Sequence, residues 1–284
     1  MPPGEDALDA RLRDFLSEDI GGSDVTTDTI VPPGRSGRAE IVAKSDAVVS
    51  GLDVARRTFR LLDPEIRWRS DVKDGDSVPA GSRLARLDGP ARWILTGERV
   101  ALNLLQRMSG IATETRRYVE AVAGTPCRIL DTRKTAPGLR VFDRMAVRAG
   151  GGENHRFSLS EMVLIKDNHR RLAGGVSAAV AAARKRSVPG TKIEVEVESE
   201  EELREALEAG VDAILVDNQT PETVADWVAI VRRQPSRPVI EASGGITREN
   251  VRAYALAGAD RVSIGALTHS VRAADISLEL YADV

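Results

Sequence analysis

The feature that most constrains this chain is a repeated order of strand, loop and helix after residue 124. Short apolar runs predict six strands, near residues 127–131, 162–166, 193–197, 213–217, 239–242 and 261–265. Amphipathic segments follow most of them, at residues 199–209, 221–233 and 247–257. Strands that alternate with helices in this way form a parallel sheet.

The residues that end these strands favour a barrel over a dinucleotide-binding sheet. The strands lack the Gly-x-Gly-x-x-Gly fingerprint, and ionisable or glycine residues recur where each strand stops. They are Asp131, Lys166, Glu196, Asp217, Ser243, Gly244, Gly245 and Gly265. In an α/β barrel, the carboxyl ends of all strands meet at one mouth, where the chemistry takes place. Only six or seven strands fit, so we expect an open, incomplete barrel.

The part of the chain before the barrel predicts a smaller lobe with strands of its own. An amphipathic helix over residues 5–17 and a loop over 18–27 precede β-like runs at 39–43, 47–50 and 78–87. We predict an N-terminal α/β lobe over residues 1–109, with a β-rich part at 37–88 and a helical linker at 91–123. The open α/β barrel would cover residues 110–270, and residues 271–284 would pack on the N-terminal lobe.

Composition narrows the class of protein. The sequence pI of 5.8 argues against a general nucleic-acid binder, and no apolar run reaches the roughly 20 residues that span a bilayer. The first ten residues lack the basic and then apolar pattern of a signal peptide, so we expect a cytoplasmic enzyme. The single Cys127 stands in an apolar run, which predicts a buried thiol, and one cysteine is too few for a metal-thiolate site.

Residues 128–171 predict an anion site. Ten Arg or Lys residues occur there against five Asp or Glu, although the whole chain has a formal charge of −3. The same stretch contains the glycine triplet 150–152, which would let backbone and ligand approach closely.

Two loops at the end of the predicted barrel favour phosphate binding. Backbone N–H groups after the last two strands grip phosphate in many barrels. The predicted phosphate-binding residues are Ser243, Gly244, Gly245, Ile264, Gly265 and Ala266, with His269 as a further donor or as a capping residue.

Carboxylates at consecutive strand ends predict a metal site next to that phosphate. Glu196 and Asp217 suit Mg²⁺, which prefers oxygen ligands and often binds together with substrate phosphates. The alternative is a structural salt-bridge ladder between the glutamates of 194–198 and Lys166 or Lys134. Arg133, Lys134, Arg156 and Lys166 would then bind a second anion, and arginine pairs best with a planar carboxylate.

Three motifs resemble one known family. Thr132-Arg133-Lys134-Thr135-x-Pro137-Gly138-Leu139-Arg140, Gly150-Gly151-Gly152-x-Asn154-His155-Arg156 and Leu164-Ile165-Lys166-Asp167-Asn168-His169 are similar to those of the quinolinate phosphoribosyltransferases. The likeness continues through Asp275-Ile276-Ser277-Leu278, so it covers nearly the whole chain. Departures from the family pattern occur at Gly97, Arg144, Ser158 and Glu161.

The resemblance implies a reaction and a set of roles. Quinolinate and 5-phosphoribosyl 1-diphosphate would react with Mg²⁺ to give nicotinate mononucleotide, diphosphate and CO₂. The implied quinolinate-binding residues are Arg99, Thr132, Arg133, Lys134, His155, Arg156 and Lys166; the implied catalytic residues are Lys134, Lys166, Glu196 and Asp217, the last two of which would hold the metal. The family is a homodimer, which implies that Arg99 completes the partner's site, and assembly beyond the dimer is left open.

Two other functions stay open on the sequence. One is a phosphoribosyltransferase of the same fold that acts on another aromatic acid such as nicotinate, or a molybdenum-operon relative. The other is a non-catalytic phosphate-ligand sensor or carrier, since residues 72–81 resemble a carrier fold and Lys44 could then be the carrier lysine.

Overall fold

The structure, a computed structural model, describes residues 5–282 of the chain. Sequence predictions for residues 1–4 and 283–284 lie outside the described residues. The chain forms two compact units. The first contains residues 5–116, 135–151 and 266–282, and the second contains residues 117–134 and 152–265.

The helices and strands alternate along most of the chain. In order they are α1 Glu5–Ile20, α2 Val25–Ile30, β1 Ser36–Ala43, β2 Ala47–Val48, α3 Leu52–Leu62, β3 Arg67–Ser70, β4 Ser77–Val78, β5 Arg83–Pro90, α4 Ala91–Ala121, β6 Arg128–Leu130, α5 Arg140–Ala149, β7 Val163–Ile165, α6 Asp167–Ala173, α7 Val176–Arg186, β8 Ile193–Val197, α8 Glu200–Glu208, β9 Ala213–Asp217, α9 Pro221–Arg232, β10 Val239–Ser243, α10 Val251–Leu256, β11 Arg261–Ser263, α11 Ala266–His269 and β12 Ile276–Ala282.

The first unit is built on an antiparallel sheet in the order β12-β1-β5-β3. Its apolar face and helices α3 and α4 share one core that includes Ile41, Phe59, Leu87 and Leu105. The C-terminal strand β12 pairs with β1 along residues 276–282. Lys44, considered as a carrier lysine, follows β1 and forms an ion pair with Glu279, 2.9 Å from Nζ to Oε1.

Several local predictions for this unit were wrong. The predicted loop at residues 18–27 contains the start of α2, because the Asp24 carboxylate accepts the Thr27 N–H at 3.0 Å and caps the helix. The run predicted at 78–87 is divided between β4 and β5, and both α3 and β3 were missed.

The helical segment predicted at residues 91–123 is a single helix, α4, of 31 residues. The predicted boundary near Ser109 therefore falls inside a helix, whose residues from Arg117 onward belong to the second unit. Gly97 lies where α4 crosses α3, since a Cβ there would come within 2.8 Å of Leu62 Cδ1.

The second unit confirms the predicted parallel sheet. Six strands run in the order β6-β11-β10-β9-β8-β7, and the strands at 193–197 and 213–217 were predicted to the residue. β6 and β7 are the two edges of this sheet and do not pair with each other, so the barrel is open between them, as predicted. An isolated parallel bridge joins Leu130 to Glu153 near this opening.

Cys127 is buried in the protein interior, as predicted from the apolar run in which it stands. This burial raises the pKa of its thiol to about 11. Between residues 5 and 282, none of the helices combines the length and apolar character needed to cross a bilayer.

Candidate active site

Two strand ends of the second unit bring oppositely charged groups together. Lys166, just after β7, forms an ion pair with Glu196 on β8, and Glu196 is buried. Asp217 ends the adjacent strand β9 and is half-buried. Burial and the negative charge of Glu196 raise the pKa of Asp217, while Lys166 and Lys134 oppose the shift. All four predicted catalytic side chains, Lys134, Lys166, Glu196 and Asp217, therefore lie close enough to interact electrostatically.

Two arginines of the second unit lie near each other. Arg133 and Arg156 are each partly buried. Burial lowers the pKa of Arg156, and the positive charge of Arg133 lowers it further. Arg156 is held in place by its Nη1, which donates to the Met162 carbonyl at 2.9 Å. Like charges held together in a partly buried place favour the binding of an anion.

The loops after β9 and β10 fit tightly into each other. Asn218 donates its backbone N–H to the Ser243 carbonyl at 2.9 Å, and its φ of 52° is the only positive one among non-glycine residues in the described chain. Gly244 has a φ of +89°, and a Cβ on it would lie 2.1 Å from Asn218 Oδ1. Gly245 also has a positive φ, yet nothing lies within 4 Å of its Cβ position. Only glycine therefore fits at 244, and the side of the loop at 245 is open.

Other predicted phosphate-binding residues are placed differently. Ile264 donates its N–H to the Leu130 carbonyl at 3.0 Å, so this amide is already used within the sheet. The helix expected to begin near Thr247 begins at Val251, because the Asn250 side chain accepts the Thr247 N–H at 2.7 Å and extends the loop. Ala266 and His269 belong to α11 in the first unit.

A buried aspartate fixes the segment that contains His155. Asp131 follows β6 and is fully buried. Its Oδ2 accepts from the Asn154 side chain at 2.6 Å, and its Oδ1 accepts the His155 N–H at 2.8 Å. In the adjoining loop, the Thr132 hydroxyl accepts the Lys134 N–H at 3.1 Å. Asp131 thus holds the Asn-His-Arg motif through hydrogen bonds and directly precedes the Thr-Arg-Lys motif in the chain.

Both ring nitrogens of His155 are engaged inside the second unit. Nε2 lies 3.1 Å from Glu194 Oε2 and 3.6 Å from Glu241 Oε1, and Nδ1 accepts the Arg156 N–H at 2.7 Å. Burial by itself lowers the pKa of His155, but Glu194 and Glu241 outweigh it and raise the pKa. Protonation of Nδ1 would break the bond to Arg156. The ring therefore supports Arg156, and direct donation to a substrate would require one of these bonds to break.

Glu241 was missed on the sequence. It is fully buried, and burial together with the charge of Glu194 raises its pKa to about 7. With His155 and Glu194 it forms the one described group that offers three ligand atoms within 4.8 Å of one another. The sequence did contain a signal for it, because Glu241 is a charged residue within the apolar run 239–242 and lies on the same strand face as Ser243.

Two predicted features lie in the first unit. Arg99 is on α4 with its side chain 59% exposed, and its Nη2 is 3.7 Å from Glu98 Oε1. Gly150 was expected to admit a ligand, but a Cβ there would lie 2.5 Å from the Ala112 carbonyl oxygen of α4. This glycine therefore serves helix packing.

Comparison with family models decides the relationship. The model for the C-terminal domain of quinolinate phosphoribosyl transferase matches residues 111–279, and the model for the N-terminal domain matches residues 24–109. The chain belongs to the quinolinate phosphoribosyltransferase family. Members similar to it include a probable nicotinate-nucleotide pyrophosphorylase (carboxylating) of Bacillus subtilis, 45% identical over 95% of this chain and 92% of the relative. The corresponding Mycobacterium leprae protein is 42% identical over 97% of this chain and 98% of the relative.

Solved structures of the quinolinate phosphoribosyltransferase family share the fold. NadC from Streptococcus pyogenes has a TM-score of 0.94 and 38% identity, with all of both chains covered. A human nicotinic acid phosphoribosyltransferase structure has a TM-score of 0.63 at 14% identity, which shows a shared fold alone.

Proposed function

We propose that this chain transfers a phosphoribosyl group from 5-phosphoribosyl 1-diphosphate to quinolinate and releases CO₂, giving nicotinate mononucleotide for NAD biosynthesis. Membership of the family supports the reaction. The observation that supports the site is that one unit contains two neighbouring, half-buried guanidiniums, Arg133 and Arg156, together with the carboxylates of Glu196 and Asp217, which interact with Lys166 and Lys134.

The cationic side of the site fits the two carboxylates of quinolinate. Arg133 and Arg156 supply planar, paired donors, and Lys134 and Lys166 add point charges. Thr132 orients the backbone of Lys134, and His155 orients that of Arg156. The remaining cation, Arg99, is exposed on the first unit and would come from a partner chain.

The acidic side of the site fits Mg²⁺. Burial and the nearby charge of Glu196 raise the pKa of Asp217, so the site as built favours an added positive charge. Glu196 and Asp217 would hold the ion through carboxylate oxygens. When bound, it would offset the charge that develops on the departing diphosphate.

The reaction requires the protein to orient the two substrates and to balance the charges that develop on them. The pyridine nitrogen of quinolinate forms a bond to the ribose carbon as the bond from that carbon to diphosphate breaks. The nitrogen is then cationic, so the ring can accept the electron pair left when the adjacent carboxylate departs as CO₂, and the ring carbon then takes up a proton. The loop of Gly244 and Gly245 would hold the 5-phosphate through its backbone N–H groups, with Gly245 on its open side.

The protein in this proposal is a cytoplasmic homodimer. The exposed position of Arg99 supports a site completed by the partner, and the pI and the lack of a spanning helix among residues 5–282 are compatible with a protein that acts in water.

The decisive experiment supplies the purified protein with quinolinate, phosphoribosyl diphosphate and Mg²⁺, and follows nicotinate mononucleotide and CO₂ together. We expect equal amounts of both products and loss of both on chelation of the metal. Nicotinate is offered in parallel as the competing substrate. Product from nicotinate and none from quinolinate would overturn the acid assignment, and binding of quinolinate without turnover would indicate a sensor.

A further inference from the structure

A second cavity lies in the second unit, at the opposite end of the sheet from the proposed active site. Arg128 and Arg261 are the first residues of the neighbouring strands β6 and β11, and both line it. Because the strands are parallel, their amino ends share one edge, while Asp217 and Ser243 end strands at the other edge. The cavity has a volume of about 540 Å³. That volume is typical of pockets for small molecules, which are roughly 300–1,000 Å³.

The lining of this amino-end cavity is strongly basic. Four arginines, 128, 232, 237 and 261, contribute to it, and the one carboxylate among the lining residues is Asp260. Asp260 is already engaged, since its Oδ2 accepts the Ile240 N–H at 2.8 Å. Arg128 forms an ion pair with Glu153. The side chains of Arg232 and Arg237 form no hydrogen bond or ion pair within residues 5–282.

The position of Arg232 depends on the local backbone. Gly258 has a φ of +97°, and a Cβ there would lie 2.6 Å from Arg232 Nη2. The guanidinium at the end of α9 therefore lies against the bare backbone that leads into β11. A side chain at position 258 would both strain the turn and displace the guanidinium. The turn thus leaves room beside the cavity for the guanidinium of Arg232, whose side chain is exposed to solvent.

The cavity also has an apolar side. Val228 and Val231 of α9 line it beside the arginines. Uncompensated guanidiniums recognise phosphate or carboxylate oxygens, and an adjoining apolar wall accommodates an organic group. We propose that the amino-end cavity binds a phosphorylated small molecule of nucleotide size, with its phosphates on Arg232, Arg237 and Arg261. This inference does not depend on the proposed function.

The test compares two double variants of the full chain that lose the same charge. Arg232→Gln with Arg237→Gln removes two cavity guanidiniums. Arg233→Gln with Arg186→Gln removes two exposed arginines that do not line the cavity, one of them next to Arg232 in sequence. ATP, inorganic triphosphate and adenosine are titrated into each protein by calorimetry at low ionic strength with a chelator present, and thermal melting checks the fold.

We expect ATP to bind the wild type, the control variant to bind within twofold of it, and the cavity variant to bind at least about tenfold more weakly, as loss of charge-assisted contacts predicts. Three results would overturn the inference: no binding of ATP to the wild type, equal weakening in both variants, or wild-type binding in the cavity variant, which would place ATP elsewhere. Equal affinity for triphosphate and ATP would overturn the role of the apolar wall.

Discussion

Arg133 and Arg156 define the anion site at the level of single residues. Burial and the positive charge of Arg133 make the charged form of Arg156 less favourable, so the pKa of Arg156 is lowered. A dianion with two planar carboxylates relieves both effects at once. The affinity for quinolinate should therefore depend on these side chains far more than folding does.

Replacing Arg133 with Ala should raise the KM for quinolinate by about 10- to 100-fold, the range expected for loss of a hydrogen bond between charged groups. The thermal midpoint should hardly move, and steady-state kinetics at saturating phosphoribosyl diphosphate measures the change. Arg186→Ala, at an exposed arginine in the last turn of α7, is the matched control. An unaltered KM in Arg133→Ala would remove Arg133 from the site.

His155 should appear in NMR spectra as the tautomer with its proton on Nε2. Its Nδ1 accepts the Arg156 N–H, so it can carry no proton in that arrangement. The chain has three histidines, and His169 and His269 are exposed, so long-range ¹H–¹⁵N spectra at pH 8 can separate them. A proton on Nδ1 of His155 would contradict the described geometry.

The sequence allowed the ends of strands to be predicted well and the inside of the barrel poorly. Lys166, Glu196 and Asp217 could be placed together because parallel strands end at one edge. The ring orientation of His155 could not, since it depends on Glu241 in a strand far along the chain. Spacing along a sequence says which side chains share a face, but not which atoms of a ring find partners.

The loops after β9 and β10 form one structural element because Gly244 and Asn218 pack closely against each other. The sequence indicated glycines for phosphate binding at this point. It could not indicate that one of the two glycines is needed for a neighbouring loop. The same limit applies to Thr247, where a side-chain hydrogen bond from Asn250 delays the helix.

Gly244→Ala should therefore destabilise the loop pair, and Gly245→Ala should do so much less. Both residues have a positive φ, but only Gly244 meets a neighbour, 2.1 Å from Asn218 Oδ1. We expect Gly245→Ala to cost about 1 kcal/mol from backbone strain, and Gly244→Ala to cost more and to raise the KM for phosphoribosyl diphosphate at least about tenfold. Chemical denaturation and kinetics measure both. Equal effects of the two substitutions would contradict the interlocking of the loops.

Glu241 within β10 should make stability depend on pH. Its pKa is raised to about 7 by burial and by Glu194, so the native state retains a proton that the unfolded state loses near pH 4.5. The stabilisation is complete below about pH 4.5, and it is lost as pH rises through about 7.

The Glu241→Gln variant keeps the shape of the side chain but does not titrate. Relative to wild type, its free energy of unfolding should rise by on the order of 1–3 kcal/mol between pH 5 and pH 8, as the shift predicts. Urea denaturation of both proteins across that range provides the measurement. A constant difference between them would mean that Glu241 is ionised throughout.

At the scale of the whole molecule, variants of the exposed Arg99 can test whether one subunit completes the active site of another. Arg99→Ala and Asp217→Asn should each be inactive alone. In a mixture that has exchanged subunits, a dimer with one of each has one intact site, so up to about a quarter of wild-type activity should return if dimers form at random. Specific activity against mixing ratio measures this. Absence of recovery, with exchange verified by mass spectrometry, would show that Arg99 acts within its own chain or has no role.

The pairing of β12 with β1 has a consequence for how the protein is made. β1 lies between β12 and β5, yet β12 is made after all of the other strands among residues 5–282. Until then β1 is a bare sheet edge, and such edges pair readily with other chains. Nascent chains should thus depend on a chaperone until β12 has been made. Messages truncated shortly before codon 276 should give an aggregated product, even though such a product contains every residue of the second unit.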